Sequence, residues 1–318
     1  MTRLKKCMTE KWSKPYSNHE SGETSTFMNE LPLFSVSEFT TWDQSFEQDV
    51  ALYRRLGITG IEVCERKLSA DPVHSREQLA MLRESGLRLT SIQPRVHALF
   101  KDSMCPDMDD PRARLKVYRR TIDLFAENFS GQNIPLVTIG GNAPGYNFRF
   151  AHQTARQLYG DLARYAADRG VRIMFEPLHP ILMNADTFIC SLDEALHLID
   201  DINHPYFGLM LDVWHVWHER DIARRIRALG PLIFGVHICD WPREQPRGLA
   251  DRVLPGHGII DLPMLLGAIE AAGYNGAYCL EIFSAHQWPD SLWRVDPAQM
   301  LEDGRQGFYT AWKARVCN

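Results

Sequence analysis

The chain lacks the marks of several protein classes. Its seven cysteines, Cys7, Cys64, Cys105, Cys190, Cys239, Cys279 and Cys317, include no C-x-x-C pair, so neither a zinc ribbon nor a dithiol redox motif is written here. Several sit inside apolar runs, where a reduced thiol packs as a small hydrophobe; that usage predicts a reducing, cytoplasmic setting. No stretch approaches the roughly 18 consecutive apolar residues of a membrane helix, and no membrane partner is expected. Positive charge is short as well. Lys and Arg number 35 against 40 Asp and Glu, a formal charge of −5, which opposes attraction to phosphate backbones; nucleic acid is not an expected partner.

No G-x-G-x-x-G follows the first candidate strand, which argues against an open dinucleotide-binding sheet. There is also no Gly-rich phosphate cradle and no clustered Lys/Arg set near the candidate site, so a non-phosphorylated ligand is preferred. Residues 1–29 have neither the apolar middle of a secretory signal nor any helical or strand period. They read as a flexible N-terminal tail before a domain over 30–318, with Met28 an alternative start.

What is present is a repeat. The 318 residues are 45% hydrophobic, enough for one barrel domain of roughly 250 residues with short extensions. From Leu31 onward, β-branched and apolar runs alternate with segments of helical period such as Phe46–Leu56 and Ala151–Arg169. Strands are expected at Leu31–Val36, Gly60–Val63, Arg88–Gln93, Leu136–Ile139, Arg172–Glu176, Phe207–Asp212, Ile233–Ile238 and Gly276–Ile282. Gly57, Gly86, Gly170, Gly230 and Gly273 each close a helical stretch before a strand, as helix C-caps do. Eight βα units predict an α/β fold, a closed (β/α)8 TIM barrel in a single domain.

Two long connections, Val96–Asp110 and Trp241–Leu254, fall on the carboxyl-terminal face, where barrels keep their active sites, and the first reads as a lid. Pro297–Val316 has helical period, with Phe308 and Trp312 available to pack. It fits the last barrel helix or a contact in a homo-oligomer or with a partner subunit, and the first is favoured.

Four consecutive strands end in a residue able to bind a divalent cation: Glu176 in MFEP, Asp212 in LMLD, His237 in GVHI and Glu281 in YCLE. Strand ends about 4.8 Å apart on a barrel rim bring four such side chains to one point. Singly, each has a duller explanation as a helix cap or a hydrogen-bonded core histidine. Together they would repel one another without a cation. Three carboxylates and an imidazole suit Mn2+ first, with Mg2+, Co2+ and Zn2+ also accommodated.

At these residues the chain resembles the xylose-isomerase-like TIM-barrel superfamily of sugar isomerases and epimerases. That superfamily includes ketose 3-epimerases, inosose dehydratases, hydroxypyruvate isomerases and 3-oxo C-glycoside deglycosidases. The resemblance runs from Leu31 to Ser284 through FEP, LDVWH, GVHICD, ADRVLPGHGIIDL and GYNGAYCLEIFS. It implies that Glu176 and Glu281 both bind metal and exchange the proton α to a carbonyl, by enolisation of a chelated α-hydroxy carbonyl of a sugar or keto-sugar. It also implies that His215 and Arg252 hold substrate oxygens.

His179, in FEPLHP, departs from the epimerase pattern and resembles the base of the lyases that cleave 3-oxo C-glycosides; near neutral pH a histidine can act as acid or base. Its bland alternative is a loop residue packed between Pro177 and Pro180. His97 and Gln93 are candidate substrate contacts, and Trp241 is the preferred ring to stack on a sugar, although aromatics there also fill the gap between barrel and helices. Isomerase or epimerase leads, a lyase follows, and a non-catalytic sugar- or partner-binding barrel is the reading from another class. A repair endonuclease would need further metal ligands and a basic groove, which the sequence lacks.

Overall fold

The computed structural model describes residues 31–244 and 246–315; the tail expected over residues 1–29 lies outside the described residues. The strands are β1 (Phe34–Ser37), β2 (Gly60–Cys64), β3 (Arg88–Gln93), β4 (Pro135–Thr138), β5 (Arg172–Phe175), β6 (Phe207–Asp212), β7 (Ile233–Ile238) and β8 (Tyr278–Leu280). Each pairs in parallel with its successor and β8 closes on β1. The fold is a TIM barrel.

Expected strand limits hold at β3, β6 and β7 and overshoot at β1 and β8. The β1–β8 ladder runs only from Phe34↔Tyr278 to Val36↔Leu280, so the regular pairing stops short of the apolar runs on either side. β5 likewise stops at Phe175, one short of Glu176, although the Glu176 N–H still reaches Thr138 O at 2.9 Å.

Between strands run α1 (Phe46–Arg55), α2 (Pro72–Ser85), α3 (Pro111–Asn128), α4 (Phe148–Ala167), α5 (Leu192–Ile202), α6 (Ile222–Arg227), α7 (Leu262–Ala271) and α8 (Pro297–Lys313). A side-chain oxygen takes a free N–H at the start of seven of them: Ser45, Asp71, Asp110, Asn147, Ser191, Asp261 and Asp296. Ser45 and Gln48 form a reciprocal capping box. At the other end of α2, Gly86 stands at φ 83°, a left-handed cap that a side chain would strain.

A single apolar cluster fills the space between barrel and helices, and a smaller one of Val137, Met174 and Met210, backed by Phe234, forms separately. A Cβ on Gly235 would stand 2.7 Å from Met174 Sδ, so a side chain there would push these methionines aside. α8 is the last barrel helix: Phe308 and Trp312 lie 5.4 and 5.2 Å from Tyr278. Burial of each such ring contributes about 1.5–3 kcal/mol.

The connection after β3 is packed down. Ala98 bridges Ile139, and Leu99 and Phe100 are buried. Fully buried Arg114 on α3 donates to Met108 O at 2.7 Å and Ala98 O at 3.2 Å. Ser103 N–H ties the loop to Asp186 Oδ1, in the connection after β5, at 2.9 Å.

Candidate metal centre

The carboxyl-terminal ends of β5 to β8 bring Glu176, Asp212, His237 and Glu281 together, each offering one donor atom, and the four atoms lie within 4.8 Å of one another. All four residues are buried. Glu176 Oε1 and His237 Nδ1 have no hydrogen-bond partner although both are shut off from solvent. Two orphaned buried donors facing each other at 3.6 Å, beside two more carboxylates, fit a divalent cation.

The histidine is aimed by a residue that the sequence reading missed. His237 Nε2 lies 2.9 Å from Glu62 Oε2 on β2, leaving Nδ1 toward Glu281 Oε2 at 3.3 Å. Glu62 also accepts from Ser91 Oγ at 2.6 Å and Gln93 Nε2 at 3.2 Å. With Glu62 ionised, Nε2 carries the proton and Nδ1 presents its lone pair to the centre, as in carboxylate–histidine–metal pairs. Burial pulls Glu62 upward, but His237 outweighs it and holds the carboxyl below its usual range.

Charge at the centre is shared unevenly. Burial first, and then Glu281 and Asp212, push Glu176 up to about 7 against the opposing pull of His237. Burial also works against Asp212, yet Arg252 and His215 bring it down to about 2. Arg252, expected to hold substrate oxygens, spends its guanidinium on the ligands: Nη1 lies 2.7 Å from Asp212 Oδ2 and 3.1 Å from Glu281 Oε2. An antiparallel bridge between Asp240 and Val253 fixes this arginine. Asp240 in turn accepts from the N–H groups of Trp241, Gly256, Gly258 and Ile260 at 2.8 to 3.1 Å.

His215 follows Asp212 on the helical turn Val213–Val216, whose first N–H groups Asp212 caps through Trp214 N at 2.8 Å. His215 Nδ1 accepts from the His179 N–H at 3.0 Å. With Nδ1 accepting, the proton of the neutral ring sits on Nε2, which faces Arg252 Nη2 at 3.3 Å as well as Asp212 Oδ2 at 3.6 Å and Glu176 Oε1 at 3.8 Å. Burial holds this imidazole well below its ordinary range, so it is neutral.

Of the other expected contacts, Gln93 reaches the centre, donating to Glu281 Oε1 at 3.1 Å. His97 lines the same small cavity of about 40 Å3, with Phe39, Met104 and Phe283. Its Nε2 is 3.0 Å from Asp102 Oδ2, and its Nδ1 has no partner. His179 and Trp241 are placed differently from the sequence expectation. Their rings pack on each other at 4.5 Å and against Trp214, at 5.7 and 4.5 Å. Neither is among the residues that line the cavity. Burial, and then His218, push the His179 imidazole down to about 4, away from the neutral range expected of a base. Its backbone N–H, not its ring, serves the centre. Phe39 and Phe283, 4.6 Å apart, are the aromatic faces that border the cavity.

Among known proteins, the chain is similar to the 3-dehydroshikimate dehydratase of Pseudomonas putida, 27% identical over 235 residues, 72% of this chain and 34% of that enzyme. It is 30% identical over 128 residues to the inosose isomerase of Halalkalibacterium halodurans, 39% of this chain and 43% of that enzyme. The chain thus spans less than half the length of these curated relatives. In solved structures it resembles the IOLI protein with a bound zinc atom, at TM-score 0.70 and 18% identity, covering 90% of this chain and 99% of that one. Residues 50–308 match the model of the xylose isomerase-like TIM barrel, and the chain belongs to that family.

Proposed function

We propose that the protein is a divalent-metal-dependent enzyme that moves the proton α to a carbonyl of a non-phosphorylated sugar or cyclic keto-polyol, as an isomerase or epimerase. The observation that carries this reading is the convergence of Glu176, Asp212, His237 and Glu281 on one point, with orphaned donors facing it. A bound cation, Mn2+ preferred with Mg2+, Co2+ and Zn2+ as alternatives, supplies Lewis-acid polarisation of a carbonyl.

The chain's own groups do the rest. Glu176 and Glu281 approach the centre from β5 and β8, ends well separated on the rim, so one carboxylate takes a proton from carbon and the other returns one. His215 and His97 line the same cavity as Glu176 and Glu281 and are the imidazoles available to substrate oxygens there. Arg252 Nη1 is paired with Asp212 and Glu281, so its charge is already answered by carboxylates, which favours a substrate without phosphate. The cavity of about 40 Å3 is smaller than a sugar, so admitting one requires its lining to open, and the Ser103–Asp186 hydrogen bond, both residues of which line it, is a contact such opening would break.

A lyase is the second reading, favoured by the match to a dehydratase over 72% of the chain. It begins with the same proton removal and ends by expelling a β substituent. The sequence-based version of that reading made the His179 ring the base, and its packing against Trp241 gives that assignment no support.

Metal-loaded protein incubated in D2O with ketoses, keto-inositols and 3-oxo glycosides, followed by proton NMR against chelated protein, tests the proposal. Deuterium entering α to a carbonyl at otherwise conserved mass is the result expected. Loss of water or an aglycone would transfer the assignment to the lyase, and no exchange across the panel would remove the enolisation reading.

A further inference from the structure

A second cavity, larger than the one at the metal centre, opens at the opposite end of the barrel. It has about 350 Å3 and is bounded by the amino-terminal ends of β3, β5 and β7 and the approach to β8. Its lining includes Arg88, Ser91, Arg172, Phe234 and Tyr274. The volume is at the lower end of small-molecule pockets, roughly 300–1,000 Å3, and suits a body of one ring.

The two arginines set its chemistry. Arg172 is half-buried, lies over the Phe234 ring at 4.7 Å and donates Nε only to Asn133 O, at 3.1 Å. Burial lowers its pKa, and the groups that oppose this are Tyr274 and Tyr206, with no carboxylate among them. Arg88 stands on the same rim, close enough to influence Tyr274. Among the described residues neither arginine makes an ion pair, whereas Arg169 pairs with Asp123, Arg225 with Asp193 and Glu219, and Arg305 with Glu302. The Tyr274 hydroxyl is occupied by Ala277 O at 2.8 Å, so Tyr274 presents ring surface. One guanidinium over an aromatic wall at Arg172, with a second at Arg88 on the same lining and neither with an acidic partner, matches a planar carboxylate carried on a ring.

We propose that this amino-terminal cavity binds a small single-ring carboxylate, with Arg88 and Arg172 on the carboxylate and Phe234 and Tyr274 against the ring. The site is independent of the metal centre and of the reaction proposed there. The probe is benzoate, titrated into the metal-loaded full chain by calorimetry, with benzyl alcohol and inorganic phosphate as comparisons. Saturable benzoate binding is expected, absent for benzyl alcohol and weaker for phosphate. Arg88→Met and Arg172→Met should each weaken it by at least about 10-fold, the value of one charge-assisted hydrogen bond. Glu281→Gln, which alters only the metal centre, should leave it in place. Arg88 lies on the exposed rim, so its variant keeps the test sound if Arg172→Met fails to fold. No benzoate binding, binding that survives both arginine variants, phosphate binding as tightly as benzoate, or loss in Glu281→Gln would each overturn the proposal.

Discussion

His237 Nε2 and Glu62 Oε2 stand 2.9 Å apart, both residues fully buried and separated by 175 positions in the chain. The contact decides which nitrogen of His237 faces Glu176, Asp212 and Glu281. Glu62→Gln keeps the shape but weakens the fixed tautomer and the ligand's basicity. Metal affinity, measured by competition with a fluorescent chelator, should fall ~10–100-fold. An unchanged affinity would show that Glu62 merely fills space.

Arg252 tests the balance of charge. Its guanidinium is buried between Asp212 and Glu281, so Arg252→Met leaves those carboxylates facing each other. Chelated protein should lose about 3–5 kcal/mol of stability, read by urea unfolding. Saturating divalent metal should restore part of that loss, because a cation answers the same repulsion. A variant as stable as the parent with chelator would refute the charge argument.

His179 separates backbone from side chain. Its φ of −56° suits proline, and proline lacks the N–H that His215 Nδ1 accepts. Nitrogen NMR of the His215 ring should report the Nε2–H tautomer in the parent and in His179→Ala, and a mixture of tautomers in His179→Pro. Loss of the tautomer in His179→Ala would return the role to the ring.

Glu38 and Asp49 predict a pH dependence of stability away from the centre. Both are fully buried; Cys64 N–H binds Glu38 Oε2 at 2.8 Å and Lys67 Nζ binds Asp49 Oδ2 at 2.6 Å. Glu38 Oε1 and Asp49 Oδ1 have no other partner, and a hydrogen bond between the carboxyls needs one proton. Burial, and then Asp49, raise Glu38 well above its usual range, so Glu38 holds it. Because the folded chain keeps a proton that the unfolded chain releases above about pH 4.3, stability falls as pH rises from there toward the folded value. Glu38→Gln should flatten that decline in thermal unfolding between pH 5 and 8, and a slope equal to the parent's would count against the shared proton.

Much of this was legible in sequence because it depends on periodicity. A parallel barrel repeats one short strand and one amphipathic helix, and each strand end falls on the same rim. MFEP, LMLD, GVHI and YCLE therefore located Glu176, Asp212, His237 and Glu281 without coordinates. The limits of β1 and β8 were less legible, since apolar residues continue past the point where the partner strand stops. Glu62 gave no local signal. It sits mid-strand in GIEVC, beside a register shift between Ile61 and Glu62 that only the β2–β3 pairing reveals.

The sequence by itself determined the architecture, the rim and the four residues that converge on it, because all three follow from neighbours along the chain and a repeating strand–helix unit. Tertiary structure alone decided that Glu62 aims His237, that Arg252 answers the carboxylates of Asp212 and Glu281, and that the His179 ring packs on Trp241. It also decided that two arginines without acidic partners border a cavity at the far end. Each of those depends on the direction of a side chain and on partners from other strands or loops, 36 residues away for His179 and His215 and 175 for Glu62 and His237. Local spacing carries no information about such pairs.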